Sequence, residues 1–349
     1  MPVRNEGAFI EISLGSVLRQ SVGLENMEIL VIDGMSEDDT RERITELQAC
    51  HPEAHIRILD NARRIAPCAL NIGLRNATGD IVVRVDGHCE IGEHYVAHAI
   101  AHLENGADGV GGPLKTLGEG ITARAIAAAM SSRFGVGGVA FRTNEADLQA
   151  SPPLNLEAVR EVDTVAFAAY TRGILEKAGF FDEEFVRNQD DEYNYRLRKM
   201  GARLVLADDM PAEYYSRSGF HKLWQQYFQY GYWKVRVLQR HPRQMSRRQF
   251  VPALFVLSLL VACLGIFVAP REATPLLLAV ISAYALANFV ATWITVASAR
   301  GQGEKQPLAM AIRLPLAYLL LHIGYGSGFL LGLVRFLGHW RDPIPSQSS

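Results

Sequence analysis

The C-terminal part of the chain constrains the fold most. From about Phe250 onward charged residues nearly vanish, and Leu, Ala, Val and Ile fill three stretches: about Phe250–Ala269, about Leu276–Val296 and about Leu314–Val334. A helix needs roughly 20 apolar residues to cross a bilayer core, so the three read as membrane segments. Pro270–Pro275 joins the first two tightly, and Ser298–Pro307, with Arg300, Glu304 and Lys305, makes a polar break before the third. The third carries His322, Gly324, Gly326 and Gly328, which leaves a broken or re-entrant helix open. Lys222, Lys234, Arg236, Arg240, Arg243, Arg247 and Arg248 precede the first segment without an intervening acid. Such a basic flank stays in the cytoplasm. Three crossings then put the C-terminus outside, against a mild contrary pull from Arg335 and Arg341. No charged-then-apolar signal opens the chain, so a multi-pass protein of the inner (cytoplasmic) membrane is expected, its large N-terminal domain cytoplasmic.

Residues 1–215 are a different material, with mixed charge. The whole chain of 349 residues has a formal net charge of −2, which gives no argument for a nucleic-acid partner. Cys50, Cys68, Cys89 and Cys263 fall at no metal-like or paired spacing, as suits a reducing compartment. Apolar strands alternate with amphipathic helices. Glu28–Asp33 (EILVID) reads as a buried strand followed by a helix from about Asp38 to Cys50. Ile56–Leu59 is a short strand and Ala66–Ala77 a helix. Asp80–Asp86 (DIVVRVD) is a second long strand, with a helix near Glu93–Glu104 after it. This alternation implies an α/β domain with a doubly wound, mostly parallel sheet, in which ligands bind beyond the carboxyl ends of the strands. Both long strands end there in an aspartate, Asp33 and Asp86.

Three polar clusters carry chemistry. In Asp33–Thr40, Asp33 closes its strand and can accept from a base N–H or a ribose hydroxyl, while Ser36, Asp38 and Asp39 equally suit a helix N-cap. In Asp86-Gly87-His88, two ligands one residue apart across a glycine can share Mg2+ or Mn2+, although an Asp-Gly pair also makes an ordinary turn. In Asn188-Gln189-Asp190-Asp191-Glu192, acids stand near a helix start, where the dipole favours negative charge. Further on, Phe220, Trp224, Tyr227, Phe228 and Val235 recur at helical spacing between Lys222, Lys234 and Arg236. A basic amphipathic helix of this kind suits a headgroup surface, or packing on its own domain. The expected division is a catalytic domain over 1–215, an interfacial segment over 216–249, three transmembrane segments over 250–337, and a tail over 338–349.

Taken in order, Pro2-Val3-Arg4-Asn5-Glu6, Asp33–Thr40, Asn71-Ile72-Gly73, Gly79-Asp80, Asp86-x-His88, Asp190 with Arg196, Gly201 and Gln226-Tyr227-Phe228 resemble the family 2 glycosyltransferases of the GT-A fold. The resemblance covers about residues 1–240. The DGH triplet, Gly111-Gly112-Pro113, Val162-Asp163-Thr164 before Tyr170, and Tyr227-Phe228-x-Tyr230-Gly231 are similar to the membrane-anchored subgroup that builds succinoglycan and related bacterial exopolysaccharides. The resemblance implies a donor site of Pro2, Asn5, Glu6, Asp33 and Asp86, with Arg63 or Arg64 at the phosphates. It also puts His88 beside Asp86 at the metal, Mg2+ or Mn2+. The family's Glu-Asp motif usually has an arginine six residues after the Asp. Counting back from Arg196 selects Asp190 as catalytic base over Asp191, with Gln189 in the Glu position. Asp191, Trp224 and Tyr227 are then expected on the acceptor side. The implied reaction is inverting transfer of a sugar, glucose by default, from a nucleotide sugar such as UDP-glucose to a lipid-linked saccharide.

Two departures accompany the resemblance. His88 replaces the carboxylate many members carry, and the sequence starts within the loop that normally follows the first strand. A start upstream of Met1 is therefore expected, or a sheet without that strand. A processive polysaccharide synthase is disfavoured, since Gln226–Tyr230 lacks the Arg and Trp of its Gln-x-x-Arg-Trp motif. Transfer onto polyprenyl phosphate, and a non-catalytic membrane protein that binds nucleotide sugars, stay open. A dinucleotide-binding dehydrogenase is disfavoured by the lack of a Gly-x-Gly-x-x-Gly after an early strand.

Overall fold

The computed structural model describes residues 1–142, 152–216 and 219–341. The described residues divide into two compact units, one of Met1–Lys115 with Ala140–Tyr215, the other of Thr116–Val139 with the chain from Ser216 to Arg341. In order, the first stretch carries β1 (Pro2–Val3), α1 (Ile10–Leu18), β2 (Glu28–Asp33), α2 (Thr40–Cys50), β3 (His55–Asp60), α3 (Ala66–Asn76), β4 (Ile81–Val83), β5 (Cys89–Ile91), α4 (Tyr95–Glu104) and β6 (Gly109–Gly111). β7 (Leu114–Leu117) leads into α5 (Gly120–Ser131) and α6 (Arg133–Val136) of the second unit. The chain returns to the first for β8 (Val159–Glu161), β9 (Ala169–Thr171), α7 (Arg172–Ala178), α8 (Gln189–Lys199), β10 (Leu204–Ala207) and β11 (Ala212–Tyr215). It then forms α9 (Phe220–Arg240), α10 (Val251–Val268), α11 (Pro270–Gly301) and α12 (Pro307–Arg335).

In the first unit, β2 is apolar on both faces because both are covered, the pattern of a parallel sheet with helices on each side. Val31 is fully buried and Ile29, Leu30 and Ile32 nearly so. β2 pairs in parallel with β3 in full register, Glu28 opposite His55 and Asp33 opposite Asp60. Its other edge pairs with β1 only at the carboxyl end, Pro2 opposite Ile32 and Val3 opposite Asp33. The doubly wound character expected from the sequence lives in this β1–β2–β3 sheet. A five-stranded sheet in the order β4–β9–β6–β10–β8 is mixed, parallel between β6 and β10 and antiparallel elsewhere. A third sheet runs β5–β11–β7. An apolar cleft of about 390 Å³ lies between β2 and β4, lined by Leu30, Ile32, Ile81 and Val83 and reaching Arg84 and Asp190.

The second unit contains the apolar helices. α10, α11 and α12 are each long and apolar enough to cross a membrane. At 1.5 Å per residue the 29 residues of α12 span about 43 Å. α12 is unbroken through Gly324, Gly326 and Gly328, so these glycines are contact points and not a break. A Cβ on Gly328 would fall 2.0 Å from the Phe228 carbonyl oxygen of α9, and one on Gly326 2.3 Å from that of Pro252 on α10. Small residues let helix backbones approach this closely. α9 therefore differs from the interfacial helix expected over 216–249. It packs on α12, and Lys234 and Arg236 are 2% and 1% exposed there. The Arg236 guanidinium donates to Gln239 Oε1 at 2.6 Å and lies over the Phe336 ring. Residues 116–139, assigned above to the catalytic domain, belong to this unit. The 338–349 tail is described only to Arg341.

Candidate active site

At the carboxyl end of β2, Asp33 is fully buried. Its carboxylate accepts from the Ser36 hydroxyl at 2.6 Å, the Ser36 N–H at 3.1 Å and the Arg41 guanidinium at 3.3 Å. Ser36 is thus tied to Asp33 instead of capping α2. The α2 terminus is held by Asp38, whose Oδ1 accepts from Thr40 N–H at 3.1 Å. The same loop grips the residues after β1. Ser36 Oγ accepts from Asn5 N–H, Thr40 Oγ1 from Glu6 N–H, and Asp38 from Gly7 N–H, at 2.9, 2.7 and 3.1 Å. Asn5 Oδ1 returns a bond from Glu37 N–H. Asn5, Met35 and Arg64 all have positive φ, and backbone of this kind in non-glycine residues gathers at functional sites. Arg64 pairs with Glu37 and Arg63 with Glu183, so both arginines named for the phosphates face acids.

β4 ends at Val83, short of the Asp80–Asp86 strand expected, and three residues on the chain turns through Asp86-Gly87-His88, closed by Cys89 N–H donating to Asp86 O at 3.1 Å. Asp86 takes a two-point pair from Arg84, Nε to Oδ1 at 2.7 Å and Nη2 to Oδ2 at 3.0 Å. The third arm of the same guanidinium bonds Asp190 Oδ1. A planar fork suits this double recognition of carboxylates. Burial pushes the Asp190 carboxyl up, Arg84 pulls it back and Asp86 pushes it up again, leaving it above its ordinary value. For Asp86 burial also pushes upward, but Arg84 prevails and holds the carboxyl below the usual range. The two carboxylates therefore differ in proton affinity, as an acid–base pair with separate tasks does. His88 Nδ1 lies 2.9 Å from Glu6 Oε1, and its ring meets the Tyr214 ring edge-on.

Asp190 starts α8 after Asn188, which adopts a left-handed backbone at φ 63°. Acids fill the first turn of α8 and Arg196, Arg198 and Lys199 its last, both favourable to the helix dipole. Arg196 has a structural task. It pairs with Glu192 at 2.9 Å and donates to the carbonyls of Ala178 and Phe180 at 2.6 and 3.0 Å. Asp191 stands next in the same turn. Trp224 and Tyr227 lie on α9, with Tyr227 in the apolar cluster of the second unit and the Trp224 ring tilted against Phe228.

The first unit thus carries one connected rim: Asp33 to Ser36, Ser36 to Asn5, Glu6 to His88, and Asp86 through Arg84 to Asp190. Asp86 and Asp190, 104 positions apart in the numbering (190 − 86), meet on one guanidinium, whereas Asp33 joins them only through intermediaries. Arg84 is the member that the sequence reading missed. Its signal was a lone arginine inside an apolar strand, two residues before Asp86 and so on the same strand face. Among the described residues no three His, Cys, Asp or Glu side chains gather as a complete metal cage. Asp86 and His88 supply a carboxylate and an imidazole one residue apart on this turn, donor types that suit a divalent cation such as Mn2+.

The model of "Glycosyl transferase family 2" matches residues 1–177. The chain is 29% identical over 343 residues to succinoglycan biosynthesis protein ExoA of Rhizobium meliloti, covering 96% of this chain and 94% of that protein. It is 27% identical over 343 residues, 96% of each chain, to a dolichyl N-acetyl-alpha-D-glucosaminyl phosphate 3-beta-D-2,3-diacetamido-2,3-dideoxy-beta-D-glucuronosyltransferase of Methanococcus voltae. A solved mannosyltransferase from Pyrobaculum calidifontis, in complex with GDP-Man and Mn2+, superposes with a TM-score of 0.53 at 20% identity, over 93% of this chain and 85% of that one. That likeness carries the GT-A fold. With the family model spanning half of the chain and the β2 and β4 motifs, the protein belongs to glycosyl transferase family 2.

Proposed function

We propose that this glycosyltransferase moves a sugar, glucose by default, from a nucleotide-sugar donor to a lipid-linked saccharide, with inversion, in bacterial exopolysaccharide assembly. The observation that carries the reading is the junction of Asp86 and Asp190 through Arg84. It gives one carboxylate held ionised beside a cation and a second with raised proton affinity in reach of the same point. In the proposed step an acceptor hydroxyl oxygen attacks the anomeric carbon from the face opposite the nucleotide. Its proton passes to an Asp190 carboxylate oxygen, and the bond to the diphosphate oxygen breaks with its electron pair on the departing nucleotide. Positioned general-base help is worth about 10²–10⁴ in rate. Asp86 and His88 would hold the divalent cation, Mg2+ or Mn2+, which when bound supplies charge stabilisation on the leaving diphosphate. The Mn2+ reported with the Pyrobaculum enzyme supports a cation of this kind. Pro2, Asn5, Asp33 and Arg64 form the proposed donor side, where Asp33 organises the wall through Ser36.

The dolichyl-linked substrate in the name of the Methanococcus relative supports a lipid-borne acceptor, and three apolar helices support a membrane location. In the proposed orientation the basic flank before α10 keeps the catalytic unit cytoplasmic. Asp191, Trp224 and Tyr227 are proposed on the acceptor side. Incubating membranes with labelled nucleotide sugars, with and without Mn2+, is expected to move label into a lipid extract. Asp190→Asn is expected to cut that transfer about 10²–10⁴-fold while nucleotide binding persists. Undiminished turnover would remove Asp190 as base, and label on polyprenyl phosphate alone would favour the simpler acceptor.

A further inference from the structure

We infer that Glu6 is a positioning residue for His88: its carboxylate fixes the imidazole tautomer and plane so that Nε2 is presented to a divalent cation beside Asp86. The inference rests on the reading of Asp86 and His88 as the cation's protein ligands. Glu6 Oε1 lies 2.9 Å from His88 Nδ1, and the two side chains are 9% and 15% exposed. An ionised carboxylate only accepts, so Nδ1 carries the hydrogen and the lone pair sits on Nε2. The tautomer therefore follows from the partner.

Gly87 is not in the left-handed region, so the turn does not demand glycine for its φ. A Cβ at position 87 would lie 2.9 Å from Val3 Cγ1 and 3.0 Å from Glu6 Cγ. Glycine between Asp86 and His88 thus leaves room for the Glu6 side chain to reach the ring. On its other side the ring is held edge-on by Tyr214, centroids 4.8 Å apart. The Glu6 main chain is anchored as well, its N–H to Thr40 Oγ1 and its carbonyl accepting from Phe9 and Ile10 N–H, both at 2.8 Å. A side chain so anchored and turned inward serves His88 better than it serves a donor. Carboxylates placed behind metal-binding histidines raise ligand basicity and hold orientation, and their loss typically weakens metal binding 10–100-fold.

The test is Mn2+ binding to the purified full-length protein in the presence of UDP, read from the electron paramagnetic resonance signal of unbound Mn2+. UDP binding in the presence of EDTA serves as the second readout. Glu6→Ala is expected to weaken Mn2+ binding about 10–100-fold, with Glu6→Gln less affected because an acceptor oxygen remains. UDP binding without metal is expected to stay unchanged in both. Gly87→Ala, which keeps the carboxylate but displaces it, is expected to reproduce the loss and serves if Glu6→Ala does not fold. Wild-type Mn2+ affinity in Glu6→Ala and Gly87→Ala, alongside a loss in His88→Ala, would overturn the inference. A loss of metal-free UDP binding in Glu6→Ala would overturn it too, and return Glu6 to direct donor contact. If His88→Ala itself binds Mn2+ normally, the assignment of His88 as ligand fails first, and the inference with it.

Discussion

Arg84 is the residue on which the proposed chemistry turns. It balances two carboxylates that would otherwise face each other in a poorly solvated mouth, and like charges so placed cannot both stay ionised cheaply. Arg84→Met is expected to lower transfer on the order of 10²-fold, the effect of misplacing a reacting group. Arg84→Lys should lose less, since it keeps the charge but not the fork, and steady-state kinetics with both variants checks this. A second ionised site lies away from the mouth. Asp209 accepts from His102 Nε2 at 2.9 Å and from Asn155 N–H at 2.7 Å. Burial raises its pKa, but these hydrogen bonds and the two histidines outweigh it and bring the carboxyl below its ordinary 3.8. The folded protein therefore holds the Asp209 proton less tightly than the unfolded chain. This stabilisation is complete above about pH 3.8 and disappears as pH falls through the lower folded value. Asp209→Asn should cost about 1–3 kcal/mol at neutral pH, with the gap from wild type closing below pH 3.8 in thermal melts.

Among the elements, α9 and α12 depend on each other through their glycines. Cβ atoms on Gly231 and Gly328 would each come within 2.0 Å of a backbone oxygen of the facing helix. No rotamer change relieves a clash with backbone, so the helices must separate. Gly328→Val is expected to destabilise the helical unit by about 1–3 kcal/mol, the usual cost of overpacking, or more. A lower melting temperature in detergent, with the secondary structure retained, would register it. Lys234 and Arg236 are buried in the same unit. Helical periodicity could show that α9 has an apolar face, but not that its basic residues would be buried.

For the molecule as a whole, the proposed topology of three crossings with the basic flank inside predicts the link between α10 and α11 outside and the polar turn after α11 inside. A membrane-impermeant maleimide applied to intact cells is expected to label Arg271→Cys and to spare Gly303→Cys. The opposite labelling would invert the orientation, and labelling of neither or both would argue against two full crossings by α10 and α11.

Most of the frame was already legible along the chain, because its signals are local. Apolar runs of membrane length, the two-faced apolar strand Glu28–Asp33, and Asp-Gly-His directly after a strand need only neighbouring residues to be read. The pairing partners needed the fold. The antiparallel insertion of β9 between β4 and β6, the division of Asp33 from the Asp86–Asp190 pair, and the capture of Arg63 and Arg64 by acids all join distant positions. Arg196 helped to locate Asp190 by its spacing, yet in space it ties α8 to the turn before it. Sequence spacing carries which residue types stand near a strand end or on a helix face. Which charge meets which across the mouth, whether a glycine bends a helix or lets another approach, and whether Glu6 faces a donor or His88 are properties of contacts between remote segments, and these come into being only when the chain packs.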